Sequence, residues 1–545
     1  ETAAKEAADK ESRTAESPAE ASETGKEAAT AAGEEAEGGE YGACPDHLPI
    51  EISEKYTDGH VTYEGTEYYN YSYEVTMPFL KLSDRYQGQF PELAKALEDF
   101  SKEKQARFDD GVGYLSASIY DLLHEKVSFG TEVTPRDEGM QLFERISADV
   151  VRADDKIVSI VENGQSYEGG AHGNYYLYGF NYDTQTGKKL EVEDVFKSRD
   201  EVWEFLKGAL SEKYGDEVGF DYYEPSSLNF MITNEGVVFF FNPYDIAPYA
   251  SGLITYTVVY PEHPELFRMN IMDHRGNYME PLLKEGENHV FTGGHGDIQL
   301  DTVSFDQKFD ESTDSTSYVW YVNVNGRESE LLGYLDMPIT SMAAAPYYVS
   351  YDGTPYLFIF EDVGETTVLN VFKFGRYDAE KPDSVLLHAV SHCSPFNWIE
   401  YSDNLDYIRT TLSMNDPDCM IMWSGESRLL AAHARQQWRM TESGVPETDD
   451  DYIFADGDQV YMKGKMCLGK DMKANVLNEN GTAGAETVLP SGTVISPLST
   501  DNESSFTFRT DDKKEYIREF TVEGETIMID GAQLYEVLDW DYEQD

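Results

Sequence analysis

Two short segments hold most of the residue types that could do chemistry in this 545-residue chain. The first is Ser166-Tyr167-Glu168-Gly169-Gly170-Ala171-His172-Gly173-Asn174. Its three glycines lie within five residues, which permits positive φ and close backbone approach and marks a shaped loop. His172 has three readings there: a ligand to a bound group, an acid–base catalyst, or a hydrogen-bonded structural residue. No second catalytic partner stands nearby, which favours the structural reading. The second segment is Phe241-Asn242-Pro243-Tyr244-Asp245-Ile246-Ala247-Pro248-Tyr249-Ala250-Ser251-Gly252. Pro243 and Pro248 stiffen a loop that carries Tyr244 and Tyr249 between two apolar runs. A stiff loop displaying aromatic rings suits recognition, because little conformational entropy is lost on binding. The competing reading is a rigid connection with both tyrosines packed down.

Other constellations are weaker. His388 and His392 stand four apart, a spacing that aligns two imidazoles on a helix face and also on a strand. Their surroundings read as strand, and metal binding is not expected. Asp449-Asp450-Asp451 and Asp456-Gly457-Asp458 lack the ligand spacing of a calcium loop and read as solvated turns. The chain has no Gly-x-Ser-x-Gly elbow, no phosphate-binding loop and no dinucleotide fingerprint, so no cofactor is expected. The four cysteines, Cys44, Cys393, Cys419 and Cys467, form no Cys-x-x-Cys pair; a Cys393–Cys419 disulfide is one arrangement open to them.

The elements that must position these segments follow from periodicity. Tyr68 to Val75 alternates as a strand, and Pro91 opens a helix with Leu93, Leu97 and Phe100 on one face. Met140 to Val161 predicts two strands around a turn at Arg152-Ala153-Asp154-Asp155. Tyr175 to Tyr182 is a strand, closed by the turn Asp183 to Gly187. Ser198-Arg199-Asp200-Glu201 predicts a capped helix start, with Val202, Phe205, Leu206, Ala209 and Leu210 as its buried face. Leu228 to Thr233, Asn234-Glu235-Gly236 and Val237 to Phe241 predict a hairpin, and Ile254 to Tyr260 adds a strand. Strand, helix, hairpin, strand implies an α+β domain: an antiparallel sheet with packed helices. From about 297 the texture is all β, with strands at Ser317–Val324, Tyr347–Tyr351, Tyr356–Phe360 and Thr367–Phe374 and turns at Asn325-Gly326, Asp352-Gly353 and Gly364.

Charge bounds the partners. Asp plus Glu is 103 against 42 Lys plus Arg, a formal net charge of −61. Nucleic-acid phosphates and anionic lipid surfaces are repelled, whereas a basic partner or a divalent cation is attracted. Residues 1–40 hold twelve acidic residues, four basic ones and twelve Ala, with no Val, Ile, Leu, Met or aromatic residue. Such a segment has nothing to bury against its chain entropy and reads as a disordered leader reaching roughly 35 Å. No apolar run approaches the ~20 residues of a membrane span. Aromatic residues are 13% of the chain and Tyr alone numbers 38, which suits strands and recognition surfaces alike.

One resemblance follows from the motifs themselves. Ser166-Tyr167-x-Gly169-Gly170-Ala171-His172, then Phe180-Asn181-Tyr182-Asp183-x-x-Thr186-Gly187-Lys188, then Glu193-Asp194-Val195-Phe196, and finally Gly236-Val237-Val238-Phe239-x-Phe241-x-Pro243-Tyr244-Asp245-Ile246-Ala247-Pro248-Tyr249-Ala250-Ser251-Gly252 occur in that order. They resemble the domain of unknown function in RsiV-type anti-sigma factors, which also stands at the front of PdaC-type peptidoglycan deacetylases. The resemblance covers about residues 60–265. It implies an extracellular domain whose loops enter the cleft of lysozyme, and so places Ser166 and the Pro243–Tyr249 loop at a partner surface. The deacetylase pattern Thr-Phe-Asp-Asp is missing, since Thr507-Phe508-Arg509-Thr510 does not match it.

The expected organisation is a disordered acidic leader over 1–45, an RsiV-like α+β domain over 50–295, a β-rich domain over 297–468 and a small SH3-like β-barrel over 470–545. The expected role is that of an exported, surface-tethered or secreted protein of a Gram-positive bacterium, a lipoprotein if its anchor lies upstream. It would recognise lysozyme or a peptidoglycan-related ligand through Ser166, Tyr167, His172, Pro243, Tyr244, Pro248 and Tyr249. The membrane would be touched only through an N-terminal anchor. The alternative is a cell-envelope hydrolase with its site in the β-rich region.

Overall fold

The computed structural model describes residues 48–539 apart from 132, 134–138, 272–276, 283–288, 291–297, 310–317, 334–337, 340–344, 363–365, 377–379, 382–384, 398–414, 427–432, 442, 449–451, 454–465, 479–481, 502, 511, 513 and 525. Some strand positions, His392 and Cys393 among them, are described by backbone alone. The acidic leader, the Gly364 turn and both Asp-rich segments lie outside the described residues.

Strands β1 (Ile50–Tyr63) and β2 (Thr66–Leu82) form a long hairpin. It turns at Glu64-Gly65, where φ is 49° and 84°, the doubly left-handed geometry that matches strand twist. A single turn, α1 (Asp84–Gln87), leads into α2 (Pro91–Ser128). Pro91 begins α2 because its missing N–H is needed by no helical partner there. Its buried residues, Leu93, Leu97, Phe100, Lys104, Phe108, Leu115, Ile119 and Leu123, recur at steps of three, four and seven and hold 38 residues, ~57 Å, against the sheet. After that crossover β3 (Met140–Ala153) pairs parallel to β2, with Tyr71 opposite Met140. A parallel neighbour is what a long helical connection permits and a hairpin does not, so the expected antiparallel sheet is mixed. Strands β4 (Ile157–Tyr167) and β5 (Asn174–Asp183) follow antiparallel, giving the order β1-β2-β3-β4-β5. Arg152, expected in the β3–β4 turn, lies inside β3 and is fully buried.

Next come α3 (Val192–Val195), α4 (Arg199–Tyr214) and a second sheet of β6 (Asn229–Ile232), β7 (Gly236–Phe241) and β8 (Ile254–Val259). Ser198 caps α4 by accepting the Glu201 N–H at 3.3 Å. The helix buries Val202, Leu206 and Leu210 as the pattern predicts, and also Trp203, against Val237, Phe239, Phe241 and Val258. The opposite face of this sheet, Met231, Val238 and Phe240, packs on Val151, Val161 and Leu177 of the first sheet. Every residue of β7 is therefore buried, and each large apolar side chain so covered contributes roughly 1.5–3 kcal/mol. Asn229 pins the two sheets together, accepting from Gly179 N at 2.8 Å and donating to Leu177 O at 2.7 Å. Asn181 donates to Phe230 O at 2.8 Å.

The rest is β-sheet. Strand β9 (Tyr278–Pro281) joins strands 345–351, 354–362, 366–376 and 385–397 in one five-stranded sheet. Strands 289–290, 302–309, 318–324 and 327–330 form another. Trp320, Val322 and Val324 of the second pack on Tyr348, Leu357, Ile359 and Phe372 of the first. The expected turns Asn325-Gly326 and Asp352-Gly353 both have positive φ at both residues. A sheet of ten strands starts with 420–426 and 433–438 and continues into the C-terminal strands through the short pairing of Tyr452-Ile453 with Ser499-Thr500, and strands 521–523, 526–529 and 532–533 form a separate small sheet. The divisions expected near 295 and 470 thus coincide with strands that pair across them: β9 with 345–351, and 452–453 with 494–500. Cys419 is disulfide-bonded and Cys467 is free. Among the described residues no helix is long and apolar enough to cross a membrane.

Candidate functional site

The two segments singled out by residue type meet in space. Strands β4 and β5 are joined by the Glu168–Gly173 loop, and β7 runs into the Asn242–Gly252 loop beside it. Gly169 and Gly170 have φ of 89° and 148°, and a Cβ on Gly173 would come within 2.9 Å of Ser166 O. All three glycines are thus required by the backbone path. Tyr167 closes the loop on itself, donating to Gly170 O at 3.0 Å while its ring lies 6.3 Å from Phe143. Glu168 accepts from the Tyr114 hydroxyl at 2.9 Å, tying the loop to α2.

His172 stacks on Tyr249 with ring centroids 4.0 Å apart and planes 27° from parallel. Its Nδ1 lies 2.9 Å from Gly173 O, and the Tyr249 hydroxyl donates to that same carbonyl at 2.7 Å. Tyr175 meets Tyr249 edge-on at 5.7 Å, and Tyr244 lies 5.6 Å from Tyr249 on the other side. Of the residues chosen from sequence, His172, Tyr244 and Tyr249 therefore form one aromatic group. Ser166 lies opposite Glu144 and Asn174 in the sheet and reaches the group only through its carbonyl beside Gly173. Pro243 and Pro248 frame the loop, half-buried and exposed respectively.

The backbone beneath Tyr244 is strained. Its φ is 75°, a region that bulky residues avoid at a cost of about 1–3 kcal/mol. Local bonds hold it there: Tyr244 N to Ala247 O at 3.1 Å, Asp245 N to Asn242 O at 2.9 Å, and Asn242 N to Asp245 Oδ2 at 2.8 Å. Asn242 also accepts from Leu177 N at 2.8 Å, which fixes the loop to β5. Burial pushes the Asp245 carboxyl up, against the pull of that Asn242 N–H. Tyr244 nevertheless stays 64% exposed, so little buried area offsets the strain. Sequence reasoning missed Asn242 and Tyr175. The first could have been found as a side chain able to cap the turn ahead of Pro243.

Two further polar groups escaped the sequence. Under α2, Lys104 pairs with Glu162 at 2.5 Å between the rings of Phe100 and Phe180, with both side chains buried. Burial pushes the Glu162 carboxyl up even with Lys104 beside it. Next to them Arg107 binds Glu144 at 2.7 Å and the Tyr176 hydroxyl at 2.8 Å; Tyr176 is raised to about 12, chiefly by burial. Helix α2 covers this network, which reads as structural. The second group lies at the other end of β7. The β6–β7 turn, Thr233-Asn234-Glu235, is wholly buried beneath β9 and strand 345–351. Asn234 donates to Glu280 Oε2 through its backbone N–H (3.2 Å) and its amide (3.0 Å), and the Tyr278 hydroxyl donates to Glu235 Oε1 at 2.9 Å. Arg152 donates to Thr233 O at 3.1 Å, Ile271 O at 2.6 Å and Asp154 Oδ2 at 2.6 Å.

His388 is exposed opposite Lys373, and a bulge at Val390 breaks the two-residue alternation before His392. The His392 side chain lies outside the described residues. Among the described residues no three His, Cys, Asp or Glu side chains gather as a metal site.

Comparison with known proteins gives a family for the centre of this region. Residues 193–260 carry a domain matching the family described as "Protein of unknown function (DUF3298)". That stretch runs from α3 to the strand after the Tyr244 loop. No curated protein matches. Among solved structures, a DUF3298 family member from Bacteroides fragilis is similar over 41% of this chain and 94% of its own, at 18% identity and a TM-score of 0.31. A DUF3298 family protein from Pseudomonas aeruginosa PAO1 is similar over 42% of this chain and 99% of its own, at 19% identity and a TM-score of 0.29.

Proposed function

We propose that the Glu168–Gly173 and Asn242–Gly252 loops form a recognition surface on an exported, surface-tethered binding or sensing protein. Its partner would be a cell-envelope ligand, or an enzyme that acts on the envelope such as lysozyme. The observation that carries this reading is Tyr244, a strained residue with an exposed ring. A left-handed position that served the fold alone would be cheaper as glycine. Retaining a tyrosine whose ring is not buried points to a ring needed by something outside the chain. The His172–Tyr249 stack and the Asn242 bonds then act as preorganisation, fixing the rings before a partner arrives. The motif resemblance to RsiV-type domains supplies the envelope, and a net charge of −61 suits a basic partner. The SH3-like reading of the C-terminal strands belongs to the same proposal, as a second small module on the exported chain.

The test is a pull-down of lysozyme and of peptidoglycan fragments by the wild type and by the Tyr244→Ala, Tyr249→Ala double variant. Two central aromatic anchors are each worth about 2 kcal/mol or more, so the double variant should bind at least about a hundredfold more weakly. A wild type that captures neither partner would sink the envelope reading.

A further inference from the structure

The buried turn at the other end of β7 carries a separate consequence, independent of the recognition reading. Glu235 and Glu280 reach it from opposite sides: Glu235 from the β6–β7 turn, and Glu280 from β9 of the following five-stranded sheet. Each is only 4% exposed. A carboxyl taken out of water ionises at a cost, so burial favours the protonated form of Glu280. Asn234 offers Glu280 two neutral donors, and among the described residues no ion pair reaches Glu280. Among the described residues, the other titratable and charged groups around the turn include Arg152 and Asp154 from β3, Tyr278 on β9 and Tyr348 on strand 345–351, the two phenol rings being 5.9 Å apart. Arg152 donates to Asp154 and to two carbonyls, and so only partly offsets the acids.

We infer that this junction is a proton-held latch between the β6–β8 sheet and the β9 sheet. It is closed while the buried Glu280 carboxyl keeps its proton beside Asn234 and loosens when that carboxyl ionises. The sign follows from linkage. Burial first, and then Glu235, push the Glu280 carboxyl up to about 7 from 4.5, against the Asn234 bonds and Arg152. A carboxyl raised in the closed state stabilises that state fully below its ordinary value and ceases to do so as pH rises through the raised one. The latch is therefore tightest in mild acid and weakens through neutrality. With those two values, the opening equilibrium rises about tenfold between pH 6 and pH 8.

Hydrogen exchange by mass spectrometry on the full chain tests this, with rates corrected for the intrinsic pH dependence of exchange. In the wild type, the peptides covering 230–240 and 277–282 should gain about tenfold in opening from pH 6 to pH 8. A peptide over Met472–Leu477 in the C-terminal sheet should not, which separates the latch from whole-chain charge repulsion. Glu280→Gln keeps the Asn234 contact without the charge and should be flat over the same range. If that variant fails to fold, Glu235→Gln removes the charge that adds to burial in raising Glu280 and should make the step smaller than the wild type's. A flat wild type overturns the latch, as does a folded Glu280→Gln that opens with pH as the wild type does.

Discussion

At its N-terminal end β7 emerges from Thr233-Asn234-Glu235, a turn covered on all sides. At its C-terminal end it enters Asn242–Gly252, a loop that lifts Tyr244 into water. The strand between them is uniformly buried, so the contrast comes from what satisfies the two loops. The buried turn is held by residues far away in the chain: Arg152, 81 positions from Thr233, and Glu280, 46 positions from Asn234. The displayed loop is held chiefly by bonds three residues long, Asn242 to Asp245 and Tyr244 to Ala247, with the Asn242–Leu177 bond as its anchor to β5. A loop built from local bonds can remain exposed and shaped at once. A turn whose partners are remote becomes a joint between sheets, and its polar groups must be matched because water cannot reach them.

The comparison can be broken in three places. Arg152→Ala should have the largest effect, a loss of about 3–5 kcal/mol in urea unfolding, because Asp154 and two buried carbonyls lose their donor. A loss under about 1 kcal/mol would mean that the buried end is not clamped as drawn. Asn242→Ala should cost about 1–3 kcal/mol by orphaning the Leu177 N–H. It should also weaken ligand capture as much as removing Tyr244 does, since the ring loses its support. Unchanged capture would show that Tyr244 acts without a fixed loop. The smallest effect has the opposite sign: Tyr244→Gly should raise stability by about 1 kcal/mol while reducing capture. A destabilised Tyr244→Gly would place the ring in a folding role and remove the contrast between the two ends.

Much of the displayed end was legible in the sequence. Three glycines at 169, 170 and 173 signalled positive φ and close approach, and two prolines around Tyr244 signalled a stiff loop; both are local properties of the chain. The capped start of α4 and the Asn-Gly and Asp-Gly turns were readable for the same reason. The stack of His172 on Tyr249 was not legible. It joins residues 77 positions apart, through a β5–β7 neighbourhood that periodicity does not specify. Nor does spacing record the bulge at Val390, which interrupts the two-residue alternation of the backbone between His388 and His392. Arg152 was read as a turn residue because charge ordinarily marks the surface, whereas β3 carries it inward to carbonyls supplied by two distant segments.

By itself the sequence determined the local conformations: where strands alternate, where helices begin and which turns need glycine; it also set the net charge of −61. Only the tertiary structure decided which polar groups are buried together. Glu280 lies in the short run Tyr278-Met279-Glu280-Pro281-Leu282, and nothing in its neighbours distinguishes a solvated carboxylate from one that keeps its proton. Its ionisation depends on the medium around it. That medium is made by β9 and strand 345–351 closing over the turn, a long-range event that no window of neighbouring residues records.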